Sequence, residues 1–170
     1  YGTLTVDFTQ ADYQWSLMGN RTSDDYNAKL IRDCGVAVDM EYSPTGSGAY
    51  LSYAQAALNS YFGFKNTSSY VYYSDDNQWK NVLKQELSAG RPVLYGGRTN
   101  SDPQYSHVWV IEGYDSLDRF YCNWGYGGSG NAFYLLTNLT QDNGGHVYTS
   151  DNKAVIGIEP VMSTCDEING

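Results

Sequence analysis

The chain has 170 residues, 41% apolar and 17% charged, and its 19 acidic against 10 basic side chains leave a formal net charge of −9. That balance describes a globular fold rather than a disordered chain, and the shortage of cations argues against a nucleic-acid partner or an anionic membrane surface, each of which needs a basic patch. No apolar run approaches the roughly 18 residues of a membrane-spanning helix. The 17 tyrosines and 18 glycines lean toward an extracellular surface, where tyrosine covers apolar area and leaves its hydroxyl in water. Tyr1-Gly2-Thr3 has no initiator Met and no signal peptide and is read as the start of a mature or truncated piece.

Taken in order, residues 1–20 carry aromatic, turn-bounded segments. Ser23-Asp24-Asp25 offers an N-cap for a helix through about Arg32, with Tyr26, Leu30 and Ile31 on one face and a stop near Cys34-Gly35. Val36, Val38 and Met40 then alternate with small or charged residues ahead of a Pro44-Thr45-Gly46-Ser47-Gly48 loop. A helical pattern spans Tyr50 to Phe62 and ends at Gly63. A second runs from Asn77 to Ala89, capped by Ser74 or Asp75, with Trp79, Val82, Leu83 and Leu87 inward and Gly90 as its stop.

After Gly90 the pattern changes to strands: Arg91 to Gly96, a strand opening at His107, Phe120 to Trp124, Ala132 to Leu136, and a last strand, Ala154 to Ile158, behind a Gly/Asn-rich loop, Thr140 to Ser150. Helices over about 1–90 followed by an antiparallel sheet over about 91–161 make this an α+β chain, with 162–170 as a tail or linker.

The chemistry concentrates between Tyr105 and Leu136. The turn Gly113 to Asp118 folds Val108 to Ile111 back on Phe120 to Trp124, which predicts a hairpin with His107 facing Asn123. A lone strand histidine is commonly structural. An imidazole beside a carboxamide, however, is the base-and-orienter half of a Cys-His-Asn hydrolase, and Trp124-Gly125-Tyr126-Gly127-Gly128 adds an aromatic wall on a permissive loop.

None of the three cysteines completes that half. Cys34 falls at a helix C-terminus, where the dipole disfavours a thiolate. Cys122 is adjacent to Asn123 in a strand and should point to the opposite face, and Cys165 lies in the polar tail. They form neither an even disulfide framework nor a CxxC metal pattern. With only His107 and His146 available, no metal or other cofactor is expected. His146 reads as a solvated loop residue, Asp39 and Glu41 as solvent-facing, and Asn20, Asn66 and Asn138 as heads of N-x-Ser/Thr triplets.

From about Asp7 to Pro160 the chain resembles the streptopain family of papain-like cysteine peptidases. The resemblance rests on Asp7-Phe8 with Tyr13 to Met18, Cys34 to Tyr42 running into Gly46 to Ala49, Tyr61 to Phe64, and Leu87 to Val93. It continues through His107 to Tyr114, Asn123 to Gly128, and Ala154 to Ile158. It implies a papain-like fold in a secreted or cell-surface bacterial endopeptidase made as a zymogen, acting on protein or peptide substrates. His107 is implied as the catalytic base, Asn123 as its orienter, Trp124 as the indole covering the pair, and Ser47 as a residue lining the substrate cleft. The chain departs from the family in having Tyr105-Ser106 where Gly-Gly is usual and Tyr126 where a second Trp is usual.

The family's nucleophile lies in a Gly-Cys-Val helix start ahead of the Asp7-Phe8 motif. The chain is therefore expected to be the C-terminal portion of a catalytic domain, inactive alone, with the N-terminal remainder and an inhibitory propeptide as partners. Two rivals stand beside this: a silent binding or adhesive module that keeps the fold, and a small transglutaminase-like or amidase-like enzyme using Cys34.

Overall fold

The computed structural model describes residues 3–20, 24–65, 69–72, 76–102, 104–141 and 145–161. The chain divides into two compact units, Tyr1–Phe62 and Gly63–Gly170. The expected tail over 162–170 and the caps at Ser23, Ser74 and Asp75 lie outside the described residues.

The first unit holds a short 3-10 turn, Trp15–Leu17, the helices α1 (Asp25–Ala37) and α2 (Leu51–Tyr61), and a hairpin of β1 (Glu41–Ser43) and β2 (Gly46–Gly48). Asp24 caps α1, its Oδ1 accepting the Asn27 N–H at 2.7 Å. The helix runs past the expected stop at Gly35 because the Val38 N–H still finds the Cys34 carbonyl at 3.1 Å; it ends where Asp39 turns left-handed at φ 51°. Val36 is thereby drawn into the helix instead of a strand. The expected Pro44 to Gly48 loop is the turn and second strand of the hairpin, with Tyr42 opposite Ser47.

Asp33 is fully buried. Burial alone would raise its carboxyl, but hydrogen bonds from Arg32, Lys29 and Tyr13 overcome that and hold it below the usual range. Phe8 stacks on Tyr61 at 4.4 Å between centroids and meets Phe62 edge-on, closing the other end of this unit.

The second unit contains β3 (Ser69–Tyr72), α3 (Asp76–Ser88), β4 (Val93–Thr99), β5 (Ser106–Tyr114), β6 (Phe120–Asn123), β7 (Ala132–Tyr134), β8 (Thr140–Gln141) and β9 (His146–Ile156). The strands pair antiparallel in the order β3-β9-β4-β5-β6-β7, with β8 joining β9 outside that path. Two features differ from the sequence pattern. β3 lies in a stretch assigned no element in sequence, although its Tyr-Val-Tyr run favours a strand, and its partner is the distant β9. The last strand begins at His146 rather than Ala154, because the stretch expected to be loop follows β4 through a bulge around Arg98.

α3 covers one face of this sheet. Trp79 and Leu83 are buried among Val93, Tyr95, Trp109, Ile111, Phe120, Cys122, Trp124 and Tyr148, and the Trp79 indole donates to the Tyr95 hydroxyl at 3.1 Å. Val82 and Leu87, expected inward, are only partly buried; Glu86 takes the third position of the buried stripe. Its carboxylate receives Arg91 through two N–H groups, at 2.8 and 3.0 Å, and the Gly157 amide at 2.8 Å, tying the end of α3 to the start of β4 and the end of β9.

Candidate active site

Period-two alternation along β5 sends His107, Trp109 and Ile111 to the α3 side of the sheet and exposes Ser106, Val108 and Glu112. His107 is half-buried, and its Nε2 lies 2.9 Å from the backbone carbonyl oxygen of Trp124. A carbonyl only accepts, so this contact assigns the proton to Nε2 and leaves the Nδ1 lone pair free to act as a base.

The ring is also held by stacking. Tyr126 lies nearly parallel to it at 5.2 Å and 14°, and Trp109 and Trp124 flank it at 6.2 Å each. Trp124 is itself anchored, its N–H donating to Asn131 Oδ1 at 3.0 Å and its indole N–H to the Gly130 carbonyl at 3.1 Å. Left-handed backbone at Gly125, φ 82°, follows directly and permits the turn that leaves the Trp124 carbonyl facing His107.

Asn123 does not meet His107. In the β5–β6 ladder Asn123 stands opposite Val110, and the pleat sends its side chain to the other face of the sheet while Cys122 and Trp124 share the His107 face. The Asn123 carboxamide donates to Glu112 Oε1 at 2.6 Å and accepts the Gly125 N–H at 3.1 Å. The expected His-amide contact is thus replaced by a main-chain carbonyl one residue further on. No side-chain pattern announces such a group; the Asn-Trp-Gly sequence, an Asx-turn signal, was its only trace.

Ser47 lies in the first unit, exposed in β2. His146 is not a solvated loop residue: it is half-buried as the first residue of β9, stacked on Tyr105 at 5.0 Å and 24°. Its other ring neighbour is Tyr148, at 6.2 Å, which in turn lies 5.9 Å from His107.

Neither described cysteine is poised to react. Cys122 is fully buried, and that burial pushes its thiol up to about 12. Cys34 sits in the last turn of α1; although the residue is exposed, partial burial of its thiol and then the neighbouring Asp33 carboxylate raise it above the usual thiol value. Cys165 lies outside the described residues. No described helix is long and apolar enough to cross a membrane.

The profile of the peptidase C10 family matches residues 1–134. The thiol protease/hemagglutinin PrtT of Porphyromonas gingivalis is 31% identical over 165 residues, covering 89% of this chain and 19% of that protein. Streptopain of Streptococcus pyogenes is 31% identical over 140 residues, covering 78% of this chain and 34% of the relative. The chain thus spans about a fifth to a third of the length of these curated relatives.

Active wild-type interpain A cysteine protease of Prevotella intermedia superposes with a TM-score of 0.80 at 33% identity, over 88% of this chain and 65% of that one. A prointerpain A fragment of the same organism gives 0.74 at 31%, over 92% and 51%. The fold is α+β and papain-like, as the sequence resemblance implied. With the profile covering well over half its length, the chain belongs to the peptidase C10 family.

Proposed function

We propose that this chain supplies the general base of a secreted bacterial cysteine endopeptidase. His107 Nδ1 would take the proton of a thiol provided by sequence N-terminal to residue 1, and the thiolate would attack the carbonyl carbon of a peptide bond. The imidazolium would then protonate the departing amine, and water would release the acyl group from the resulting thioester. The Trp124 carbonyl would hold the ring and its proton on Nε2, the indole would keep water from that bond, and Asn123 would steady the turn that presents the carbonyl. Ser47 would contact substrate.

The observation that carries this is the 2.9 Å contact between His107 Nε2 and the Trp124 carbonyl in a chain of the C10 family. Residues 1–170 alone would be inactive if that thiol lies upstream; of the described cysteines, Cys34 is in the last turn of α1 and Cys122 is fully buried in the sheet core. An N-terminal inhibitory segment would keep the complete protein latent.

A second reading is a silent binding module, favoured by the lack of the family's Gly-Cys-Val helix start within residues 1–170. Hydrolysis of a fluorogenic peptide by the complete gene product, freed of its inhibitory segment, separates the two. The peptidase requires thiol-dependent activity that His107→Ala removes, by a factor on the order of 10³ or more. Activity that survives His107→Ala would refute the base assignment, and no activity in the wild-type protein once the inhibitory segment alone is removed would favour the binding module.

A further inference from the structure

We infer that Glu112 is a positioning residue for His107, acting through the sheet from the opposite face. This rests on His107 being the base. The Trp124 carbonyl and the Gly125 N–H belong to one peptide unit. At one end its oxygen holds His107 Nε2 at 2.9 Å; at the other its N–H is held by Asn123 Oδ1 at 3.1 Å. The Asn123 carboxamide is held in turn by Glu112 Oε1, 2.6 Å from Nδ2. Four groups therefore form one chain: imidazole, peptide, carboxamide, carboxylate.

The direction of every link follows from its end. A carboxylate only accepts, so it draws the NH₂ side of Asn123 toward itself and leaves the oxygen side for Gly125. With the carboxamide reversed, two N–H groups would face each other at Gly125 and the peptide would lose its anchor. Glu112 thus decides which way Asn123 points, and Asn123 decides how firmly the Trp124 carbonyl is aimed. Hydrogen bonds in such a series also polarise one another.

The backbone places Glu112 for this contact. Ile111 pairs with Cys122 and Gly113 pairs with Tyr121, so Glu112 is the additional residue of a β-bulge. A bulge leaves its extra residue unpaired and re-aims its side chain. In a regular ladder Glu112 would be committed to a cross-strand position beside Tyr121; here it reaches Asn123 instead. The side chain is exposed, so its value lies in orientation more than in buried charge.

Glu112→Gln, Glu112→Ala and Glu112→Lys in the complete gene product, freed of its inhibitory segment, test this, with steady-state kinetics on a fluorogenic peptide, thermal midpoints and ¹⁵N NMR of the His107 ring. Alanine should lower kcat about tenfold, the smaller effect found for residues that orient a reacting group from behind it, with KM little changed. Lysine, a donor only, should lower kcat at least as far. Glutamine, which still offers an acceptor, should restore most of the rate. The ring spectrum should move from a single Nε2–H tautomer toward a mixture in the alanine and lysine variants and not in glutamine.

Unchanged kcat and an unchanged ring tautomer in all three, with activity still abolished by His107→Ala, would overturn the role of Glu112. A fall in thermal midpoint or a rise in KM without a fall in kcat would also overturn it, leaving a structural contact. Activity insensitive to His107→Ala would instead sink the base assignment, and the ring spectrum would still report whether Glu112 sets the tautomer.

Discussion

Gly97 stands directly across the β4–β5 ladder from His107, and the space its side chain would need is already taken. A Cβ there would come within 2.5 Å of the buried Asn152 Oδ1 and 3.3 Å of the Trp109 ring. Trp109 packs against Trp124 at 4.7 Å and lies beside His107, so a shift at Gly97 is passed to the ring and to the residue whose carbonyl holds it. Gly97→Ala should therefore destabilise the protein by about 1–3 kcal/mol through overpacking, lowering the thermal midpoint, and should reduce peptide hydrolysis even well below that midpoint. An unchanged midpoint with full activity would mean that Asn152 and Trp109 yield freely.

Acid should loosen the join among α3, β4 and β9. Glu86 is held below the ordinary carboxylate range, first by its hydrogen bonds from Arg91, against the opposing effect of burial, and then by the Gly157 amide. A carboxyl depressed in the folded state binds its proton more readily once unfolded. Its contribution is therefore complete above the unfolded value, near 4.5, and is lost as pH falls through the lower folded value. Glu86→Gln should cost about 2 kcal/mol near neutral pH, the scale of hydrogen bonds to a charged group, and should flatten the acid limb of stability measured by denaturant titration. An acid limb identical to wild type would remove Glu86 from this role.

Cys34 should alkylate slowly near neutral pH. Partial burial of its thiol and the adjacent Asp33 both disfavour the thiolate, so labelling by iodoacetamide should rise steeply only as pH passes above the usual thiol value of 9.0. Cys122, buried and shifted further, should label only on unfolding. Fast labelling of Cys34 that does not depend on pH would revive the alternative in which that cysteine is the nucleophile.

Much of the fold was legible because local rules and tertiary packing agree. Asp24 at the head of α1, Trp79 and Leu83 four apart on α3, and the alternation of His107, Trp109 and Ile111 on β5 each carry their period in the sequence. Where tertiary pairing overrides local signal, the sequence misleads. β3 and the first half of β9 are short Tyr/Val-bearing runs set among Ser, Asp, Asn and Gly, and their pairing partners lie far off in sequence, so no local pattern marks their place in the sheet.

The family and the α+β class were readable from the linear chain, because side-chain identities and their order survive there. The placement of Cys34 at a helix end was also readable, and it lies in the last turn of α1. Which atom holds the imidazole could be seen only in three dimensions. That atom is a main-chain oxygen, present at every residue and presented here by the turn at Gly125, while the pleat carries Asn123 to the far side of the sheet and the bulge at Glu112 brings a carboxylate to meet it.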